Sequence, residues 1–379
     1  MDSCILHVGA PKTGTTSIQE SLRFGLDDPA FRYITLGGIN ACYFLELLFS
    51  ERPEEFWVHR LKGTSASRLQ SMRRDHEARF RRVLCRARQR FQTPILSAEH
   101  SWEMPPASLE RLQDFLREEG FEAQVVAYLR PIKSFAESWY QQQVKWGDLS
   151  PESVIRSEAD GVKVLTSDSR KLATLAQIFG AGRLIVRPFV RSALFEGCAV
   201  RDFCQTLGIR FHPDAVIRSN ESLSLDAVRF LSAYNRFIPG ANRTRLGDRF
   251  LLIHALEALN GDPVRFHSEL MSPLAEEMER EVANLQAGYG IYLAEDLKAS
   301  DRGPCIREEA DLFRFHQPSL DWLAAQSGSP RILAGNGEAV ARQVASQVDR
   351  LRRRPLLKIR WTMHSERLRN KLHWIRHGD

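Results

Sequence analysis

Residues 7–17 read His-Val-Gly-Ala-Pro-Lys-Thr-Gly-Thr-Thr-Ser, with two glycines, one lysine and a run of hydroxyls where an apolar stretch gives way to a helical pattern. A turn of this kind gathers an anion. Backbone amides and the positive end of the helix face it, the hydroxyls donate to it, and Lys12 adds a full charge. Gly9 and Gly14 occupy the glycine positions of a Walker A loop, yet Thr15 stands where nucleotide-hydrolysing proteins place lysine. The lysine lies inside the loop instead. From there it can reach the oxygen that bridges a 5′-phosphate to the group attached to it.

A second group of polar residues follows another apolar run. In Tyr-Leu-Arg-Pro-Ile-Lys-Ser-Phe-Ala-Glu-Ser-Trp-Tyr, residues 128–140, Arg130 closes a strand pattern and Ser138 falls about two helical turns further on. Both converge on one ligand only if the helix runs alongside it. Glu99 and His100 close a third apolar run.

Elements with matching periods are needed to hold these groups. Residues 4–8, 94–97, 123–129 and 184–187 read as short buried strands, and the segment from Thr15 has helical spacing with Ile18 and Leu22 on one face. Helices are expected over 109–118, from Pro131 in a first turn to about Lys145, and over 200–207. Residues 69–91 read as an exposed, arginine-rich helix whose charges are simply solvated. Alternating strands and helices predict an α/β fold, a P-loop-type parallel sheet flanked by helices. Such sheets bind ligands at the carboxyl ends of their strands, where residues 7–14, Glu99 and Arg130 all fall.

The 379 residues suffice for a core over 1–223 and a mainly helical extension over 224–379, where strand signals fade. Loop punctuation is expected at 327–330 and 335–337, and the segment 350–377 mixes basic residues with Trp361 and Trp374. Composition is that of a globular protein, 43% hydrophobic and 26% charged, which excludes disordered and fibrous classes. A net charge of +6 suits anionic ligands. Six scattered cysteines form no metal-like spacing, so free thiols are expected. No apolar run approaches the roughly 20 residues of a spanning helix, and no leader pattern opens the chain. A cytoplasmic location is expected, with peripheral contact of the basic C-terminal tail at the inner membrane surface as an option.

Residues 11–16, Pro-Lys-Thr-Gly-Thr-Thr, resemble the 5′-phosphosulfate loop of sulfotransferases that use 3′-phosphoadenosine 5′-phosphosulfate (PAPS), usually written P-K-[ST]-G-T-T. Residues 128–140 resemble the same family's 3′-phosphate element, a strand-end arginine followed eight residues later by a serine. Looser likeness to bacterial carbohydrate-type members extends over 183–189 and 220–224. The C-terminal R-K-G-x-x-G-D-W-K signature of the cytosolic small-molecule members is absent, which leaves the adenine contacts open. The resemblance implies that Lys12, Thr13, Gly14, Thr15, Thr16 and Ser17 hold the 5′ end of PAPS and that Arg130 and Ser138 hold its 3′-phosphate. Lys12 would then neutralise the leaving phosphate with no metal.

A base must take the proton of the acceptor. The family uses histidine or glutamate, which makes Glu99 the first candidate and His100 the second. Glu46 is a third, because some carbohydrate-acting members carry their base on that side of the loop. The implied acceptor is a glycan or glycolipid hydroxyl, with a small alcohol second. Two other readings compete. A P-loop kinase would need a lysine after Gly14 and a metal-binding aspartate, neither of which stands there. A non-catalytic nucleotide-fold module would work through the basic tail. Nucleic acid has no motif in its favour.

Overall fold

The computed structural model describes residues 1–147, 150–156, 168–219, 222–241 and 244–354. Asn220, Glu221 and the tail beyond Arg354, with Trp361 and Trp374, lie outside the described residues.

Five strands, β1 (Asp2–Gly9), β2 (Phe31–Tyr33), β3 (Thr93–Ser97), β4 (Phe121–Leu129) and β5 (Leu184–Pro188), form a sheet in the order β2-β3-β1-β4-β5. Every pairing is parallel. The register sets His7 opposite Ser97 on one side and Gly9 opposite Tyr128 on the other, so the strands end nearly level. From β1 the chain leaves towards β2, and from β4 it leaves towards β5. The crevice between their carboxyl ends is therefore a topological switch point.

Side chains alternate between two layers, as a pleated strand demands. Ile5, Val126 and Tyr128 join a cluster with Ile18 and Leu22 of α1 (Thr15–Gly25) and Phe203 of α9 (Ala199–Leu207). Cys4, Leu6, Val125 and Ala127 join the opposite cluster. That layer contains α2 (Cys42–Phe49), α4 (Ala66–Gln89), α5 (Pro106–Glu118) and α8 (Asp168–Phe179), while the short α3 (Trp57–Lys62) follows α2 at its edge. Central strands buried on both faces explain the near-continuous apolar runs.

The expected strands and helices are present, with bounds shifted by a few residues, and Pro131 caps its helix instead of entering the first turn. Two expectations need amending. The arginine-rich helix is not only a solvated face, because Leu69, Phe80, Leu84 and Ala87 lie buried on its inner side. The edge strand β2 was not foreseen, since three residues carry no period to detect.

The C-terminal region is helical, as expected, with α10 (Leu225–Phe237), α11 (Leu246–Glu257), α12 (Ser268–Met271), α13 (Ala275–Tyr289), α14 (Gln317–Ser327) and α15 (Glu338–Arg353). Among the described residues it departs from this in a two-stranded ribbon, β6 (Arg314–Phe315) with β7 (Gly335–Asn336), the second of which falls where loop punctuation was expected. Helix α6 (Ile132–Trp146) starts at the sheet, but its Ile132, Phe135, Ala136, Tyr140 and Val144 belong to the core of this region, as does the short α7 (Pro151–Arg156) through Val154 and Ile155.

Polar contacts clamp α6 along its length. At its start, Glu295 accepts from the amides of Lys133 and Ser134 at 2.9 and 3.2 Å. Buried Glu137 accepts from Arg265 and from the amide of Phe266, both at 2.9 Å. At its end, Arg249 donates to the carbonyls of Lys145 and Val144 at 2.7 and 3.0 Å. The second half of the chain thus fixes the helix that bears Ser138. All six cysteines are free thiols. Among the described residues no helix is long and apolar enough to cross a membrane.

Candidate active site

The turn after β1 is bent by two residues in the left-handed region, Lys12 at φ 67° and Gly14 at φ 76°. Glycine adopts this conformation freely, whereas lysine is strained by it, and such strain is concentrated where a side chain must be presented. Thr13 turns inward: fully buried, its hydroxyl donates to the carbonyl of Ala10 at 2.6 Å. It braces the loop from within and does not line the cavity described below.

Helix α1 then begins with no side-chain cap and no acidic residue in its first turn, so its leading amides are open to an anion. The Thr15 hydroxyl is buried and has no hydrogen-bond partner among the described residues. It also sits so close to Gly9 that a Cβ there would collide with it. A buried hydroxyl without a partner is costly, and one at the head of an uncapped helix fits an anionic oxygen as its missing acceptor.

A cavity of about 1370 Å³ opens over the carboxyl ends of the strands. This exceeds the ~300–1,000 Å³ of an ordinary small-molecule pocket and leaves room for two reactants side by side. Lys12, Gly14, Thr15, Thr16 and Ser17, Arg130 and Ser138, and Glu99 and His100 all line it. Residues separated by more than a hundred positions therefore share one space.

Arg130 crosses the switch point and donates through Nη1 to the carbonyl of Lys12 at 3.0 Å, while its guanidinium lies 5.7 Å from the centre of the Phe189 ring. Burial pulls this guanidinium below its ordinary value, opposed by the charges of Glu137 and Glu295. Arginine nonetheless stays cationic in proteins, so the result is a partly desolvated positive charge facing the cavity. A dianion entering beside it would relieve that cost. Lys12 Nζ donates to Gln142 Oε1 at 3.3 Å, a contact one helical turn beyond Ser138 on α6.

Ser17 lines the cavity, but its hydroxyl is engaged. It accepts from the amide of Ser219 at 3.0 Å, and Ser21 one turn on accepts from the amide of Ile217 at 2.8 Å. Segment 216–219 is thereby stitched along α1 and brings Val216, Ile217, Arg218 and Ser219 to the cavity wall. Sequence reasoning missed these residues, together with Gln142, Phe189 and Trp57. Only the serines at positions 17 and 21, spaced for one helix face, could have hinted at the stitching.

At the end of β3, Glu99 and His100 open a short 3-10 turn. The amide of His100 donates to Cys42 Sγ at 2.9 Å, and its Nε2 lies 3.4 Å from Glu46 Oε1. Burial lowers the affinity of His100 for a proton, so its imidazole is neutral at neutral pH; Glu103 opposes this effect and Lys171 adds to it. Glu46 is buried on α2, and burial raises its carboxyl above the usual range.

Beneath the site lies a polar core. Gln19 Nε2 donates to Ser97 Oγ at 3.1 Å, and Ser97 Oγ lies 2.8 Å from His7 Nδ1. Burial pushes His7 down from 6.5 to about 3. The folded state therefore keeps His7 neutral while the unfolded chain protonates below pH 6.5, so stability is lost as pH falls from 6.5 towards 3. The slope for one such proton is about 1.4 kcal/mol per pH unit. Urea unfolding of wild type and His7→Gln between pH 6.5 and 4.5 is expected to give slopes differing by about this amount. Identical slopes would contradict the buried neutral imidazole.

No family model matches the chain, and no curated protein matches it. Two solved structures are similar. One is described as the crystal structure of a sulfotransferase from Alicyclobacillus acidocaldarius, 14% identical over 76% of this chain and 95% of that one, with a TM-score of 0.39. The other is a sulfotransferase domain from the curacin biosynthetic pathway, 13% identical over 88% of this chain and 99% of that one, with a TM-score of 0.36.

Proposed function

We propose that the chain is a sulfotransferase that moves a sulfuryl group from PAPS to an acceptor hydroxyl, a saccharide hydroxyl first among the classes considered. The observation that carries this reading is one cavity at the switch point whose lining includes Lys12 and the uncapped start of α1 together with Arg130 and Ser138. Two anion sites on one crevice suit a nucleotide phosphorylated at both ends. A kinase is disfavoured by Thr15 standing at the Walker lysine position.

Transfer is an in-line displacement: the acceptor oxygen bonds to sulfur while the bond from sulfur to the bridging oxygen breaks. The electron pair leaves on the 5′-phosphate. Lys12 and the α1 amides neutralise that charge, and the Thr15 and Thr16 hydroxyls orient the phosphate. Arg130 and Ser138 fix the far end, so that the sulfur is aligned before the acceptor arrives. The acceptor proton goes to a group at the β3 end, where Glu99 and His100 both reach the cavity. Saccharide chemistry is favoured by a cavity lining that includes the rings of Phe56 and Trp57 as well as polar Asn40 and Glu103, groups that suit a sugar's apolar face and its hydroxyls.

The test is incubation with labelled PAPS and a panel of saccharides, glycolipids and simple alcohols, read by mass spectrometry. A sulfate adduct on a saccharide is expected. Absence of any adduct together with transfer from ATP and magnesium would replace this reading with the kinase.

A further inference from the structure

Glu46 and His100 are 54 positions apart in sequence, and no motif links them. Helix α2 brings them together. All eight of its residues are buried, and Glu46 is its one charged side chain, 8% exposed. The same helix holds the main chain of His100 through Cys42 Sγ at 2.9 Å, and the Phe56 ring lies 5.4 Å from the imidazole on another side. His100 lines the cavity with 42% of its side chain exposed, whereas Glu46 does not reach it. The carboxylate therefore stands behind the ring, with Oε1 3.4 Å from Nε2.

We infer that Glu46 is the positioning residue of His100: its carboxylate beside Nε2 favours the tautomer that keeps the proton on Nε2, leaves Nδ1 as the basic nitrogen, and makes His100 the group that receives the acceptor's proton. The inference rests on the transfer reaction proposed above and deepens it. A neutral imidazole has two tautomers, and a fixed carboxylate on one nitrogen selects which nitrogen is basic. When the acceptor proton reaches Nδ1, the new imidazolium lies beside a buried anion, where attraction is stronger than in water. The proton then passes from His100 to solvent as product leaves.

Other charged groups face the same ring. Glu103 raises the proton affinity of His100 and Lys171 lowers it, while Ser50 draws the Glu46 carboxyl downward against burial. Glu99, although it precedes His100 and shares the cavity, is the less suited base on this geometry, because the buried carboxylate backs its neighbour.

The test uses the full chain and the acid limb of kcat/KM for sulfuryl transfer. Glu46→Gln keeps a hydrogen-bond acceptor and removes the charge. It is expected to lower kcat about 10–100-fold with little change in KM for PAPS, and to move the acid limb to lower pH by about one unit, because the imidazolium loses its anion. His100→Ala should abolish that limb, and adding Glu46→Gln to it should change the remaining rate less than about twofold. Glu46→Asp, with the carboxylate drawn back, should keep the limb near its wild-type position at a reduced rate, and it serves if Glu46→Gln does not fold. An unmoved limb in Glu46→Gln, or additive losses in the double variant, overturns the inference while the transferase reading stands. A wild-type protein that binds the donor and transfers nothing sinks that reading, and the inference with it.

Discussion

Replacing Lys12 with alanine is expected to lower kcat/KM for sulfuryl transfer about a thousandfold, close to 4 kcal/mol of transition-state stabilisation. The size follows from where the charge acts. Negative charge grows on the bridging oxygen only as the bond to sulfur breaks, so a cation held there favours the transition state over bound donor. The strained backbone at φ 67° presents this side chain at the cavity, with Nζ held by Gln142. The product nucleotide, adenosine 3′,5′-bisphosphate, should still bind to Lys12→Ala within about tenfold, since the α1 amides and Arg130 remain. Rates from stopped assays and affinities from calorimetry separate the two effects. A variant that loses affinity and rate in equal measure would place Lys12 in ground-state binding instead.

The second large effect concerns Arg130. Arg130→Met removes a partly desolvated cation and should weaken binding of adenosine 3′,5′-bisphosphate about 100-fold, within the ~1.5–3 kcal/mol of a charge-assisted hydrogen bond. Adenosine 5′-monophosphate, which lacks the 3′-phosphate, should lose far less. The preference for the bisphosphate over the monophosphate is therefore the decisive quantity, and it should collapse in this variant. Arg130→Lys should recover only part of it, because an ammonium lacks the planar fork and cannot brace the Lys12 carbonyl at the same time. Equal losses for both nucleotides would show that Arg130 acts by shaping the loop alone.

The parts of this molecule that were legible in sequence are those whose signals are local. The loop over residues 9–17 is a run of consecutive residues between a buried strand and an amphipathic helix, and each of those patterns reports itself. Arg130 and Ser138 were legible for the same reason, being a strand end and the helix that follows. Glu99 and His100 were placed at the rim by the apolar run before them.

What escaped was set by contacts across the chain. Thr13 and Thr15 are both threonines of one loop, yet the first bonds inward to Ala10 and the second faces the cavity, a difference decided by backbone angles that residue type does not encode. The approach of Glu46 to His100 depends on α2 folding back over β3. The apolar stretch 41–49 gave only its hydrophobicity, not its partner. Segment 216–219 reaches the cavity because Ser17 and Ser21 bind its amides, and a two-hydroxyl stitch leaves no pattern in the segment itself. Likewise α6 reads as an ordinary amphipathic helix, while Glu295, Arg265 and Arg249 that clamp it come from far along the chain.

On the proposed reading, one crevice grips an adenosine phosphorylated at both its 5′ and 3′ ends. Isothermal titration of the wild-type protein with adenosine 3′,5′-bisphosphate, against ADP with magnesium, tests it most directly. Tight one-to-one binding of the bisphosphate, weakened by Arg130→Met, and much weaker binding of the magnesium nucleotide are expected. Binding of ADP with magnesium in preference to the bisphosphate, or a bisphosphate affinity untouched by Arg130→Met, would contradict it.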